Sequence, residues 1–138
     1  ENALIDGIRS TSTDFRSGDW QGYEGVDAKG KIYFDSAKTV SKITVSCLQD
    51  ERSWIFFPTE IQVFISTDGI NFSPAGKVKN TISPNKKGNL THEFEILTEG
   101  KAPIKAIQFV AVNRKTCPEG HISAGEKSWI FLDEVIVE

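Results

Sequence analysis

The 138-residue chain has no methionine, only two histidines and only two cysteines. No apolar run approaches about 18 residues, which excludes a transmembrane helix. Cys47 and Cys117 stand at unrelated spacing, a poor zinc signal and far too few thiols for a disulfide scaffold. They allow one disulfide at most, and buried free thiols are the expectation. Charge of one sign is also scarce. Sixteen Lys and Arg against nineteen Asp and Glu leave a net charge of −3, so nucleic acid is not an expected partner. Nucleophile and phosphate-loop motifs are missing, as is a His pair at metal-ligand spacing. His92 and His121 are not tied to each other, and the acids are too dispersed to single out a glycosidase pair. An enzyme is therefore not expected. A chain that opens Glu1-Asn2-Ala3 with no signal peptide reads as a piece of a longer protein or a processed chain.

What is present is a core. Hydrophobic residues make up 38%, and nine Phe, three Trp and two Tyr are too many aromatics for a disordered chain. The length suits one domain, 1–138, that buries about two-thirds of its unfolded surface. Helical periodicity is absent and period two recurs instead, as in Ile43, Val45 and Cys47, in Ile61, Val63 and Ile65, and in Ile107, Phe109 and Ala111. Strands are predicted at about 31–35, 40–48, 60–67, 70–79, 91–97, 104–112 and 129–137. In the last two both parities are apolar, which predicts central strands covered on both faces. Thr67-Asp68-Gly69 predicts a hairpin turn, and the five prolines fall at strand starts, edges or loops. Many short strands with Gly and Pro punctuation predict an all-β fold, an antiparallel β-sandwich.

Three connections exceed what tight turns need: about 9–20, 49–58 and 113–128, where function is expected. The stretch 83–89 reads as a polar connector. Ser53-Trp54-Ile55-Phe56 recurs as Ser128-Trp129-Ile130-Phe131, each copy closing a long loop. If the two preceding strands run the same way, both loops sit at one end of the sandwich and the two Trp lie close together. Each Trp then either plugs the mouth of the core or offers its face to a ligand such as a sugar ring.

In order along the chain come Leu4-Ile5-Asp6-Gly7, Trp20-Gln21-Gly22-Tyr23-Glu24-Gly25 and Ile32-Tyr33-Phe34-Asp35. Leu48-Gln49-Asp50, Ser53 to Pro58, Ser66-Thr67-Asp68-Gly69-Ile70-Asn71-Phe72 and Trp129 to Val135 follow. This ordered set resembles the discoidin or coagulation-factor type C family over nearly the whole chain. Within it, the set is most similar to the carbohydrate-binding modules appended to bacterial β-hexosaminidases. The resemblance implies an eight-stranded, galactose-binding-domain-like jelly roll and a structural calcium. Asp6 and Glu134 match the calcium pattern, with oxygens from Ala3, Arg9, Ser10 and Thr11 as further candidates. It also implies a ligand site on the long loops at one end. The candidates there are Trp20, Arg52, Trp54, Asn113, His121 and Trp129, rings supplying contact area and polar groups orienting hydroxyls.

The expected function is thus a non-catalytic module that tethers a linked glycoside hydrolase, β-hexosaminidase-like, to a glycan of galactose or N-acetylhexosamine type. The resemblance implies a bacterial extracellular, periplasmic or cell-surface location. The alternative is a structural or protein-interaction sandwich that shares the fold without binding sugar.

Overall fold

The computed structural model describes residues 20–98 and 102–138. Eight strands run through them: β1 (Gln21–Glu24), β2 (Ala28–Lys38), β3 (Lys42–Asp50), β4 (Glu60–Ser66), β5 (Ser73–Lys79), β6 (Asn89–Leu97), β7 (Ile104–Val112) and β8 (Trp129–Val137). They form two four-stranded sheets, ordered β1-β8-β3-β6 and β2-β7-β4-β5, with antiparallel pairing throughout. The result is the expected jelly-roll sandwich.

Period-two alternation builds the core between the sheets. Ile43, Val45 and Cys47 of β3 and Ile130, Leu132 and Val135 of β8 meet Ile61, Val63, Ile107, Phe109 and Ala111 from the opposing sheet. Phe57 and Phe94 close the cluster, packed edge to face with centroids 5.7 Å apart. The strands with two apolar parities are central, β7 between β2 and β4 and β8 between β1 and β3. β3 is also central and buried on both faces, which its polar Thr44 and Ser46 concealed: they are 4% and 7% exposed.

β1 is not among the expected strands, β2 runs three residues further at each end than 31–35, and β5 starts late; the first and last have local reasons. β1 lacks apolar alternation and exists through pairing with β8, where Gly22 leaves room for the Phe131 ring. β5 starts at Ser73 rather than 70 because Asp68 captures the backbone that would extend it. Its Oδ1 accepts hydrogen bonds from Ile70 N, Asn71 N and Ser66 Oγ, each at 2.8 Å, and these bonds hold its carboxyl well below the usual range. The Asp-Gly pair does turn the chain as expected, with Gly69 at φ 81°. Both cysteines are free and buried; burial and the charge of Asp133 push the Cys47 thiol up. Among the described residues no helix is long and apolar enough to cross a membrane.

One edge of the sandwich closes where β5 leans on β6. A Cβ placed on Gly76 would lie 2.9 Å from both the Leu97 carbonyl oxygen and Ile96 Cγ2. The carbonyl cannot yield without opening the seam. Gly76→Ala is expected to cost about 1–3 kcal/mol, read as a lower urea midpoint with an unchanged slope.

Candidate functional site: a cleft among the loops at one end

β3 ends in a single 3-10 turn, Glu51–Ser53, and the chain reverses at Trp54. Ser53 Oγ donates to Asp50 Oδ2 at 3.1 Å, and Trp54 N donates to the Glu51 carbonyl at 3.2 Å. Asp50 and Ile55 then exchange both backbone hydrogen bonds, at 3.0 and 3.1 Å, which leaves Trp54 at the tip with φ 65°. A left-handed tryptophan costs about 1–2 kcal/mol, and the closed turn around it holds the conformation.

The second loop, between β7 and β8, is pinned to itself. Cys117 N donates to the Glu126 carbonyl at 2.7 Å, and Ser128 N to the Lys115 carbonyl at 3.0 Å. The loop then meets the first one through the echoed segments. Trp129 N donates to the Trp54 carbonyl at 2.8 Å, and Phe56 N to the Trp129 carbonyl at 3.0 Å. Ile55 and Trp129 thereby form a parallel bridge in an otherwise antiparallel molecule. Both Trp are half-buried at the same end.

Beside them lies a cleft of about 330 Å³, lined by Glu51, Arg52, Pro84, Asn85, Lys87, Gly120, His121 and Ile122. Three loops contribute, one of them the 83–89 stretch that sequence reasoning treated as a mere connector. Gln49 explains its place. This fully buried amide donates from Nε2 to the carbonyls of Ser83 (3.1 Å) and Lys86 (3.4 Å), and its Oε1 accepts from Phe57 N at 3.2 Å. The exposed Arg52, Asn85 and Lys87 converge on the opening, and Ile122, 99% exposed, stands on its rim.

No protein-family model and no curated protein matches this sequence. Solved structures do match. The C-terminal domain of a chitobiase from Bacteroides fragilis superposes with a TM-score of 0.54 at 17% identity, over 99% of this chain and 78% of that one. CBM32-1 of a family 31 glycoside hydrolase from Clostridium perfringens gives 0.56 at 12% identity, over 99% and 82%. The CBM32 of AlyQ, in complex with 4,5-unsaturated mannuronic acid, gives 0.55 at 13%, over 99% and 84%. The chain has the fold of a CBM32 carbohydrate-binding module.

On that fold the expected site residues separate into two groups. Arg52, Trp54, Trp129 and His121 do gather at one end. His121, however, has both ring nitrogens engaged. Its Nδ1 accepts from Ser123 N at 2.9 Å, which leaves the proton on Nε2 to be donated to the Glu51 carbonyl at 2.7 Å. With Phe56 against its ring at 5.6 Å and a side chain only 5% exposed, it forms cleft wall rather than a free donor. Asn113 departs further from its expected role. Its amide donates to the carbonyls of Tyr23 (3.0 Å) and Val26 (2.8 Å), and its Oδ1 accepts from Lys115 N at 2.7 Å. A side-chain amide has two donors, so none is left for a ligand. Trp20 packs with Leu48, Ile55 and Phe131 in a second apolar cluster and is 7% exposed, so it presents no platform. Glu134 is buried on β8 opposite Ser46, and Asp6 lies outside the described residues.

The sequence reading missed Gln49, Asn85, Lys87 and Ile122. A glutamine one residue from a strand end, inside a run of buried positions, was the available signal for the first. Gln49→Leu would strand the Phe57 N–H and release the 83–88 loop. A loss of about 1–3 kcal/mol is expected, with faster amide exchange confined to 83–88 and Phe57.

Proposed function

We propose that this chain is a non-catalytic carbohydrate-binding module that holds a neutral glycan, of galactose or N-acetylhexosamine type, at the loop-end cleft. The observation that carries this reading is the convergence of Arg52, Asn85 and Lys87 on one opening, at the end of the sandwich where the Trp54 and Trp129 backbones are joined. Guanidinium, amide and ammonium donors fix hydroxyl orientation, while Ile122 covers the apolar side of a ring. Joined to a glycoside hydrolase outside the cell or at its surface, such a module raises local substrate concentration by tethering.

The test separates binding from folding. Arg52→Ala is expected to weaken glycan binding about tenfold to a hundredfold without moving the melting temperature, since the side chain is exposed and a hydrogen bond from a charged group is worth about 1.5–3 kcal/mol. Ile122→Ala is expected to weaken binding several-fold, also without moving the melting temperature, since the side chain lines the cleft and is 99% exposed. Titration against galactose and N-acetylhexosamine oligosaccharides, with a thermal melt of each variant, reads both. A wild-type chain that binds none of them rejects the proposal in favour of a structural sandwich.

A structural calcium held by Asp6 and Glu134 is part of the same reading. Glu134 and its neighbour Asp133 are each 2% exposed, and buried carboxylate oxygens suit a hard cation. Binding that favours only the native state stabilises it, so a chelator is expected to lower the melting temperature and added calcium to restore it. An unchanged melt argues against the ion.

A further inference from the structure

The outer face of the β2-β7-β4-β5 sheet carries an arrangement that the loop-end site does not use. Register places outward residues in rows across four strands. One row is Lys29, Val110, Gln62, Lys77; the next is Lys31, Gln108, Phe64, Pro74; beyond them only Tyr33 is open, since its row-mates Ala106 and Ser66 are buried. Lys79 stands opposite Glu60 at the near end, and Asp35 lies beyond Tyr33 at the far one. The lysines and Tyr33 are exposed. The face therefore collects four cations on a chain whose net charge is −3. The Glu60 carboxylate is already engaged by Gln62 Nε2 at 2.7 Å.

The surface is also concave. Ala75 is an extra residue between the Val63–Gly76 and Phe64–Pro74 pairs, and the bulge opens a mainly apolar cleft of about 510 Å³ against Gln62, Phe64, Pro74 and Lys77. Phe72 leans over the face and holds the Lys31 ammonium 4.9 Å from its ring centroid.

We propose that this face is a second binding site, for an acidic polysaccharide bearing uronate carboxylates. Lys29 and Lys77 lie three strand spacings apart, about 14 Å, and meet carboxylates spaced along a chain that crosses the strands. Between them the amides of Gln62 and Gln108 face hydroxyls, and Val110, Phe64 and Tyr33 face the flat sides of rings. A nucleic acid strand carries a charge about every 3.4 Å, a density that four edge lysines do not match.

Calorimetric titration of the full chain with an oligogalacturonate, a neutral galactan, dextran sulfate (sulfated but free of uronate) and single-stranded DNA tests this. The oligogalacturonate is expected to bind at low salt and to be released near 1 M salt, where the screening length is about 3 Å. Removing two exposed ion pairs by Lys29→Gln with Lys77→Gln should weaken it about fivefold to tenfold, and Lys29→Arg with Lys77→Arg should keep it. Free galactose and N-acetylhexosamine, which address the loop-end cleft, should not displace it. Absence of oligogalacturonate binding, an unchanged affinity in the Gln variant, displacement by the neutral sugars, or tighter binding of dextran sulfate or DNA would each overturn the proposal.

Discussion

Two backbone hydrogen bonds, Trp129 N to the Trp54 carbonyl and Phe56 N to the Trp129 carbonyl, hold the working end of this molecule together. The segment from Trp54 to Phe57 carries the chain out of one sheet and toward β4 in the other. Clamping it to the first residue of β8 fixes that crossing. Both long loops are then anchored at one point, and Phe56 and Phe57 are delivered to the interior at 1% exposure each. The same anchoring sets Arg52 and His121 across a shared cleft although 69 positions separate them in sequence. The repeated Ser-Trp-Ile-Phe string is a meeting point of two segments, and its two serines do different work. Ser53 braces the 3-10 turn through Asp50, whereas Ser128 lies buried under Asn113.

Much of the sandwich was legible because half-buried strands print their alternation in the sequence. β4, β7 and β8 fall within a residue of the expected limits, and the two apolar parities of β7 and β8 announced their central places. What failed to print was burial that does not depend on apolar side chains. β1 is held by pairing with β8, by the Asn113 amide on the Tyr23 carbonyl and by one partly buried ring, Tyr23. Thr44 and Ser46 face outward on β3 and are nonetheless covered, so alternation there pointed to a solvated face that does not exist. A carboxylate decided the start of β5, since Asp68 competes with the ladder for the N–H groups of Ile70 and Asn71.

The candidate site was legible to the extent that residue type suggests chemistry. Arg52 and the Trp54–Trp129 pair stand where loop position placed them. Asn113 and His121 were chosen for the same polar atoms that the structure spends internally, Asn113 on the carbonyls before β2 and His121 on Glu51. A polar side chain in a long loop is as able to brace that loop as to meet a ligand, and only the partners distinguish the two. Asn85 and Lys87 were overlooked for the converse reason. Their segment resembles a connector, and its place beside the cleft is dictated by a glutamine some 35 positions earlier.

That glutamine makes the cleft wall exchangeable. Gln49 grips the main-chain carbonyls of Ser83 and Lys86 and reads no side chain there. Glu51 likewise receives His121 through its carbonyl oxygen. Positions 85, 87 and 122 consequently carry side chains that the scaffold does not need, and replacing them costs nothing in the anchoring of the loops. One rigid frame can therefore present different chemical faces at the same opening. What the opening presents to solvent is set at a few outward positions, while the residues that hold it in shape stay underneath.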